Sequence, residues 1–231
     1  MWYDAIIKDA HAGRKTVVFQ ISEKFARNMK KRLSEMSLEE LWRLFPIFLT
    51  SHQAQWDIWY AEEAELLHNA LASERIIRIS HIGSTAVAGI WAKPIIDMLV
   101  EISLDSNLED LKDILIDTGY RCMSENEKRV SYNKGYTENG FEERVFHLHA
   151  RYVGDHDELY FRDYLRAHPS VARQYESLKL SLWKTYEHDR DAYTEHKTGF
   201  IAECTRLARE EYGDRYRDAD TWGNSPATCV R

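Results

Sequence analysis

The chain has 231 residues, a formal net charge of −7 and 44% hydrophobic residues, which suits one compact domain or a domain with a helical annex. The acidic balance argues against a general electrostatic grip on nucleic acid, which needs a basic face, while 31 Lys and Arg leave room for a local basic pocket. No apolar run approaches the roughly 20 residues that span a bilayer, the start Met1-Trp2-Tyr3-Asp4 lacks the pattern of a signal peptide, and Cys122, Cys204 and Cys229 have no CxxC spacing, so a reduced, cytoplasmic setting without a membrane is the expectation.

The first 35 residues read apart from the rest: 16–21 suit a short strand, and Ser22 caps a basic helix through Lys24, Arg27, Lys30, Lys31 and Arg32, a candidate surface for a protein partner. Ser37 followed by Glu40 fits a capping box that opens a helix through Leu41, Leu44 and Phe45. Residues 52–71 carry apolar side chains at near-helical spacing, with Trp56, Trp59 and Tyr60 read as core. Isoleucines at 76, 77, 79 and 82 predict a strand over 76–82, and the almost wholly apolar 95–102 predicts a second, central one. A helix over 108–118 ends at Gly119. Strands follow at 120–125 and 130–136, and 145–152 alternates most clearly of all. Helices are expected over 161–168, from Ser170 past Tyr186, and over 191–212, closed by Gly213; residues 214–231 read as a loose polar tail.

The densest chemistry is in His81-Ile82-Gly83-Ser84-Thr85-Ala86-Val87, followed by Lys93-Pro94-Ile95-Ile96-Asp97. Gly83 permits a backbone conformation closed to other residues and a close ligand approach. Ser84 offers a hydroxyl and an N–H where a helical turn presents free donors to an anion. Lys93, extended before Pro94, can reach a phosphate as a point charge. Asp97 lies in an apolar run, where a bare carboxylate is costly unless paired or on a metal. His147 and His149 share one face of an alternating strand, a spacing suited to metal ligation, phosphate binding or proton transfer. Arg162 and Arg166, four apart, share a helix face that could frame a phosphate pocket with Lys197.

These strings, together with Phe161-Arg162-Asp163-Tyr164-Leu165-Arg166-Ala167-His168-Pro169 and Tyr193…Lys197…Phe200-Ile201, resemble the GrpB family and, through the Gly-Ser turn, nucleotidyltransferase-fold proteins. The resemblance covers about residues 37–212. It implies an α/β (α+β) fold of the nucleotidyltransferase type: a small mixed sheet with helices on one side in 36–155, and a helical part in 156–213. It further implies phosphate binding by His81, Gly83, Ser84, Thr85, Lys93, Arg162 and Arg166. Asp97 would hold a divalent Mg or Mn ion with Glu101 or His147, and Asp97 and His149 would serve catalysis.

One departure bears on the reaction. Active nucleotidyltransferases carry two acids two residues apart on one strand, about 6.6 Å along its axis, within reach of one metal or a metal pair. Here the second place is Leu99. Glu101 shares the face but lies roughly 13 Å along from Asp97, so both can ligate one ion only if the strand bends. The first expectation is a protein that binds a nucleotide or phosphorylated small molecule with a divalent metal and transfers a nucleotidyl group. An inactive binding or interaction module on the same fold is the alternative. A metal-dependent phosphoester hydrolase built on Asp97, His147 and His149 is the third.

Overall fold

The structure, a computed structural model, describes residues 31–72 and 74–216. The expected strand at 16–21 and nearly all of the basic helix lie outside those residues. The chain divides into two units, 1–41 and 42–231. In the first, a 3₁₀ turn at Leu33–Glu35 precedes the start of α1 (Leu38–Leu44), and the capping box forms: the Ser37 N–H donates to Glu40 Oε2 at 2.8 Å and the Glu40 N–H to Ser37 Oγ at 3.2 Å.

The second unit is a five-stranded mixed sheet with helices on both faces. After α2 (Gln55–Ala70) come β1 (Ile76–Ile82), a 3₁₀ turn (Ser84–Ala86), β2 (Ile96–Ile102), α3 (Asp110–Asp117), β3 (Arg121–Glu125), β4 (Arg129–Thr137) and β5 (Gly140–Tyr152). Three helices close the unit: α4 (Asp157–Ala167), α5 (Pro169–Thr185) and α6 (Arg190–Tyr212). The strand order is β1-β2-β5-β4-β3, with β2 and β5 parallel and the other pairs antiparallel.

Alternation along the buried β2 decides which layer meets which face. Ile96, Met98, Val100 and Ile102 turn to α2 and α3, where Trp56, Trp59, Leu67, Leu111 and Leu115 complete the larger core. Leu99 turns the other way, against Ile82 and Leu159 of α4. The C-terminal helices pack through Tyr160, Phe161, Leu165, Tyr175 and Cys204, reaching Val87 and Ile90 behind the Gly-Ser turn. The sheet is thus covered on its second face as well, where helices on one side were expected, and the cleft described below opens between that face and α4–α6.

Two boundaries differ from expectation. β5 begins at Gly140 rather than at 145, because a tight turn at Thr137–Gly140 pairs Gly140 with Thr137 and Phe141 with Tyr136, while the charged, exposed Glu142–Arg144 fall at a register irregularity before Phe146 meets Lys134. The polar tail is not loose throughout: the Tyr216 ring packs on His156 and Tyr160, and its hydroxyl bonds Asp163. Cys122 and Cys204 are free thiols, and Cys229 lies outside the described residues. Among the described residues no helix is long and apolar enough to cross a membrane.

Candidate functional site

A cleft of about 470 Å³ lies over the ends of β1, β2 and β5, closed by α4, α5 and α6. Its floor is set by strand register. Asp97 of β2 pairs with His147 of β5, and Leu99 with His149, so the histidine strand stands directly beside the acid strand. His147 Nδ1 lies 3.2 Å from Asp97 Oδ1, and His147 Nε2 lies 2.7 Å from the Tyr136 hydroxyl. The neutral tautomer that satisfies both contacts donates Nδ1–H to Asp97 and accepts from Tyr136 at Nε2. Arg190 also directs a guanidinium N–H at Nε2, 3.4 Å away. His149 bonds Ser131 at 3.3 Å, and burial lowers its pKa against the opposing pull of Asp97.

Gly83 makes the approach to Asp97 possible. Its φ of +70° lies where side chains are strained, and an added Cβ would collide with the Asp97 carboxylate. Burial raises the Asp97 pKa, but the His147 hydrogen bond and the nearby His147, His149 and Lys197 charges outweigh it, so the acid stays below the usual carboxylate range.

The cleft is crowded with cations. Lys93, Lys179, Arg190 and Lys197 all line it, and among the described residues none lies within ion-pairing distance of a carboxylate. Two of the three lining acids are engaged elsewhere: Asp157 with Arg209, and Glu158 with Arg151. Lys93 and Lys197 each stand 4.4 Å from the centre of the Tyr193 ring, and Lys179 stands 4.8 Å from that of Tyr175 and donates to the Trp91 carbonyl. Burial, reinforced by mutual repulsion, depresses all three lysines: Lys179 to about 7, Lys197 to about 8, and Lys93 well below its ordinary value.

Several residues expected to touch a ligand hold the turn, and of these Thr85 also lines the cleft while His81, Arg162 and Arg166 do not. His81 is buried and stacked on Tyr60, with ring centres 4.7 Å apart. Its Nε2 meets Thr85 Oγ1 at 3.0 Å, and Thr85 in turn donates to the Ile95 carbonyl at 3.2 Å, so His81 is the donor in that pair. Desolvation lowers the His81 pKa to about 4, which keeps the ring neutral. Arg162 donates to the His81 carbonyl at 2.9 Å, and Arg166 to the Ala86 carbonyl at 2.8 Å. Both arginines brace the two ends of the Gly-Ser turn, and neither lines the cleft.

The expected metal role of Glu101 meets a different use of that side chain. Glu101 is fully buried and bound by Arg78 Nε at 2.6 Å and His156 Nδ1 at 2.9 Å, away from the cleft. Leu99 is packed in core, and both ring nitrogens of His147 have partners. Among the described residues no group of three or more His, Cys, Asp or Glu side chains is placed to hold one ion; of the expected metal ligands Asp97 and His147 line the cleft and Glu101 does not.

Lys179 and Arg190 escaped the sequence reading. Lys179 falls in step with Ala172, Tyr175 and Leu182 on the buried face of α5, and a lysine on an apolar stripe is the signal that finds it. Arg190 opens α6, where the helix dipole disfavours a cation.

The GrpB protein family model matches residues 46–207, a span that contains every cleft-lining residue named above. The glutamate-rich protein GrpB of Alkalihalophilus pseudofirmus is 35% identical over 68% of this chain and 92% of its own length. A UPF0157 protein of Pseudomonas aeruginosa is 39% identical over 64% of this chain, which covers 61% of that longer relative. The crystal structure of conserved protein GrpB from Enterococcus faecalis superposes with a TM-score of 0.62 at 31% identity, over 71% of this chain and 99% of that one. With the family model spanning the sheet, the turn, α4, α5 and most of α6, the chain belongs to the GrpB family.

Proposed function

We propose that the cleft binds the phosphate groups of a nucleotide or other phosphorylated small molecule. One observation carries this reading: among the described residues, four cations converge on a buried cleft whose only acid not ion-paired to an arginine is Asp97. Holding unpaired cations out of water is costly, and an anion that pairs with them recovers that cost as binding energy. Phosphate suits the geometry, because Ser84 and the backbone at Gly83 flank the same cleft and Arg190 supplies a planar fork of donors. The Gly-Ser turn, the acid on β2 and the parallel strand beside it also follow the order that the nucleotidyltransferase resemblance implies.

Binding is the reading proposed, and the second acid of a two-metal site is replaced by Leu99, which packs in core. A second reading, metal-free in-line transfer, is favoured by the Asp97–His147 pair on the cleft floor. In it Asp97, through the oxygen that His147 does not hold, takes the proton of an acceptor hydroxyl as that hydroxyl's oxygen bonds to phosphorus and the bond to the leaving phosphate breaks, and the lysines neutralise the departing phosphate.

Titration calorimetry with inorganic tripolyphosphate, in the presence of a chelator, tests the reading. Binding is expected without added metal. Lys197→Met is expected to weaken it about tenfold or more, the loss of a charge-assisted contact, while leaving the melting temperature of the unliganded protein unchanged or higher. Binding that requires a divalent ion, or that ignores Lys197→Met, would overturn it.

A further inference from the structure

Beside the cationic cleft lies a second, smaller pocket of about 140 Å³ with a different character. Phe45, Phe48, Tyr136 and Phe141 wall it. The Phe45 ring centre is 4.8 Å from that of Tyr136 and 5.0 Å from that of Phe141, at tilts of 57° and 58°, and Phe48 meets Phe141 edge-on at 6.2 Å. Phe45, Tyr136 and Phe141 pack on one another at the angles aromatic groups prefer over parallel sandwiches, and with Phe48 they present an aromatic wall to the pocket's open space. A cavity of about 150 Å³ accepts benzene, so the space is of the size of one ring system.

The two pockets are neighbours in the strict sense, because Lys93, Ile95 and Arg190 line both. Two of those three residues are cations. They stand where an anionic part and an apolar part of one molecule would join, and a guanidinium can pair with phosphate and stack on a ring at once. Tyr136 ties the pockets a second way: its ring forms the aromatic wall while its hydroxyl reaches His147 on the cleft floor. Glu142 and Glu143 at the small pocket's edge are acceptors, which suits a ring that carries N–H groups more than a plain hydrocarbon.

From this juxtaposition we infer that the ligand is a phosphorylated heteroaromatic compound, its ring seated among Phe45, Phe48, Tyr136 and Phe141 and its phosphates in the cleft. The inference rests on the phosphate reading above and adds the identity of the ligand's other half. An aliphatic phosphate or a bare polyphosphate would leave the aromatic pocket unused.

The test compares inorganic tripolyphosphate with each of the four ribonucleoside triphosphates by calorimetry on the full chain. At least one nucleotide is expected to bind about tenfold or more tighter than tripolyphosphate. Phe141→Ala is expected to bring that nucleotide down to the tripolyphosphate level while leaving tripolyphosphate itself unchanged. Phe48 is 37% exposed, so Phe48→Ala gives a variant less prone to unfold, with the same loss in smaller measure. If all four nucleotides bind only as well as tripolyphosphate, the ring pocket is refuted and the phosphate site stands. If neither nucleotides nor tripolyphosphate bind, both readings fall together. A nucleotide advantage that survives both Phe variants would place the ring elsewhere and overturn the assignment.

Discussion

Strand β2 carries two acids on one face, Asp97 and Glu101, and the two ends of that strand are built for opposite purposes. At the Glu101 end the carboxylate is 0% exposed and met by Arg78 and His156, with each oxygen bonded. Charge and donors there are matched within the fold. At the Asp97 end the carboxylate is 30% exposed and, among the described residues, holds only His147, while three lysines and an arginine crowd the cleft without an ion-paired carboxylate. A closed ion pair reads as structure, and an open excess of buried cations reads as a site awaiting a counter-charge. Distance along one strand separates the two, and the residue types alone do not.

That contrast is breakable by mutation. The largest effect is expected at the closed end: Glu101→Gln leaves Arg78 with a neutral partner and should cost about 3–5 kcal/mol, as when a buried pair loses one member. Asp97→Asn keeps an oxygen for the His147 Nδ1–H and should cost about 1 kcal/mol, the gap between a charged and a neutral acceptor. Urea unfolding of the two variants measures the difference; equal losses would erase the distinction between the ends. Asp97→Asn should also retain or improve tripolyphosphate binding, since it removes a negative charge from an anion site. An effect smaller than that of Glu101→Gln is expected at the turn. Gly83→Ala meets both a positive φ and the Asp97 carboxylate and should cost about 1–3 kcal/mol, with tripolyphosphate affinity reduced because Asp97 or the Ser84 turn must move. A neutral outcome in thermal melts would show that the close approach of Gly83 to Asp97 is not needed.

Much of the fold was legible. β1 occupies the predicted 76–82, and β2 and α6 start within one residue of expectation, because their apolar patterns match one period over their whole length. β5 extends before the expected 145, since Gly140 and Phe141 pair across the hairpin turn and the charged, exposed Glu142–Arg144 that follow show no burial pattern. The site was legible in part. Gly83, Ser84, Lys93, Asp97, His147, His149 and Lys197 all face one cleft. Arg162 and Arg166 do share a face, as their spacing requires, but spacing does not say that the face looks at the backbone of the turn. Thr85 lines the cleft too, whereas His81 does not, and a histidine beside a Gly-Ser turn looks the same in sequence whether it bonds a phosphate or a neighbouring threonine. The aromatic pocket was invisible, because Phe45, Tyr136 and Phe141 come together only through the β4–β5 hairpin and the segment after α1.

The depressed lysines give the most direct measurement. Between about pH 7 and 10 the unfolded chain binds more protons at Lys179 and Lys197 than the folded one, so the unliganded protein should gain stability as pH rises through that window. An anion in the cleft favours the charged lysines and reverses the sign: tripolyphosphate affinity should fall as pH rises from 7 to 9, and binding should draw protons from solution. Calorimetry at pH 8 in two buffers of different ionisation enthalpy reads that uptake. A net gain of protons on binding, abolished in large part by Lys197→Met, is the predicted result. Binding with no proton uptake, or with release, would contradict a cleft whose unpaired cations are the binding site.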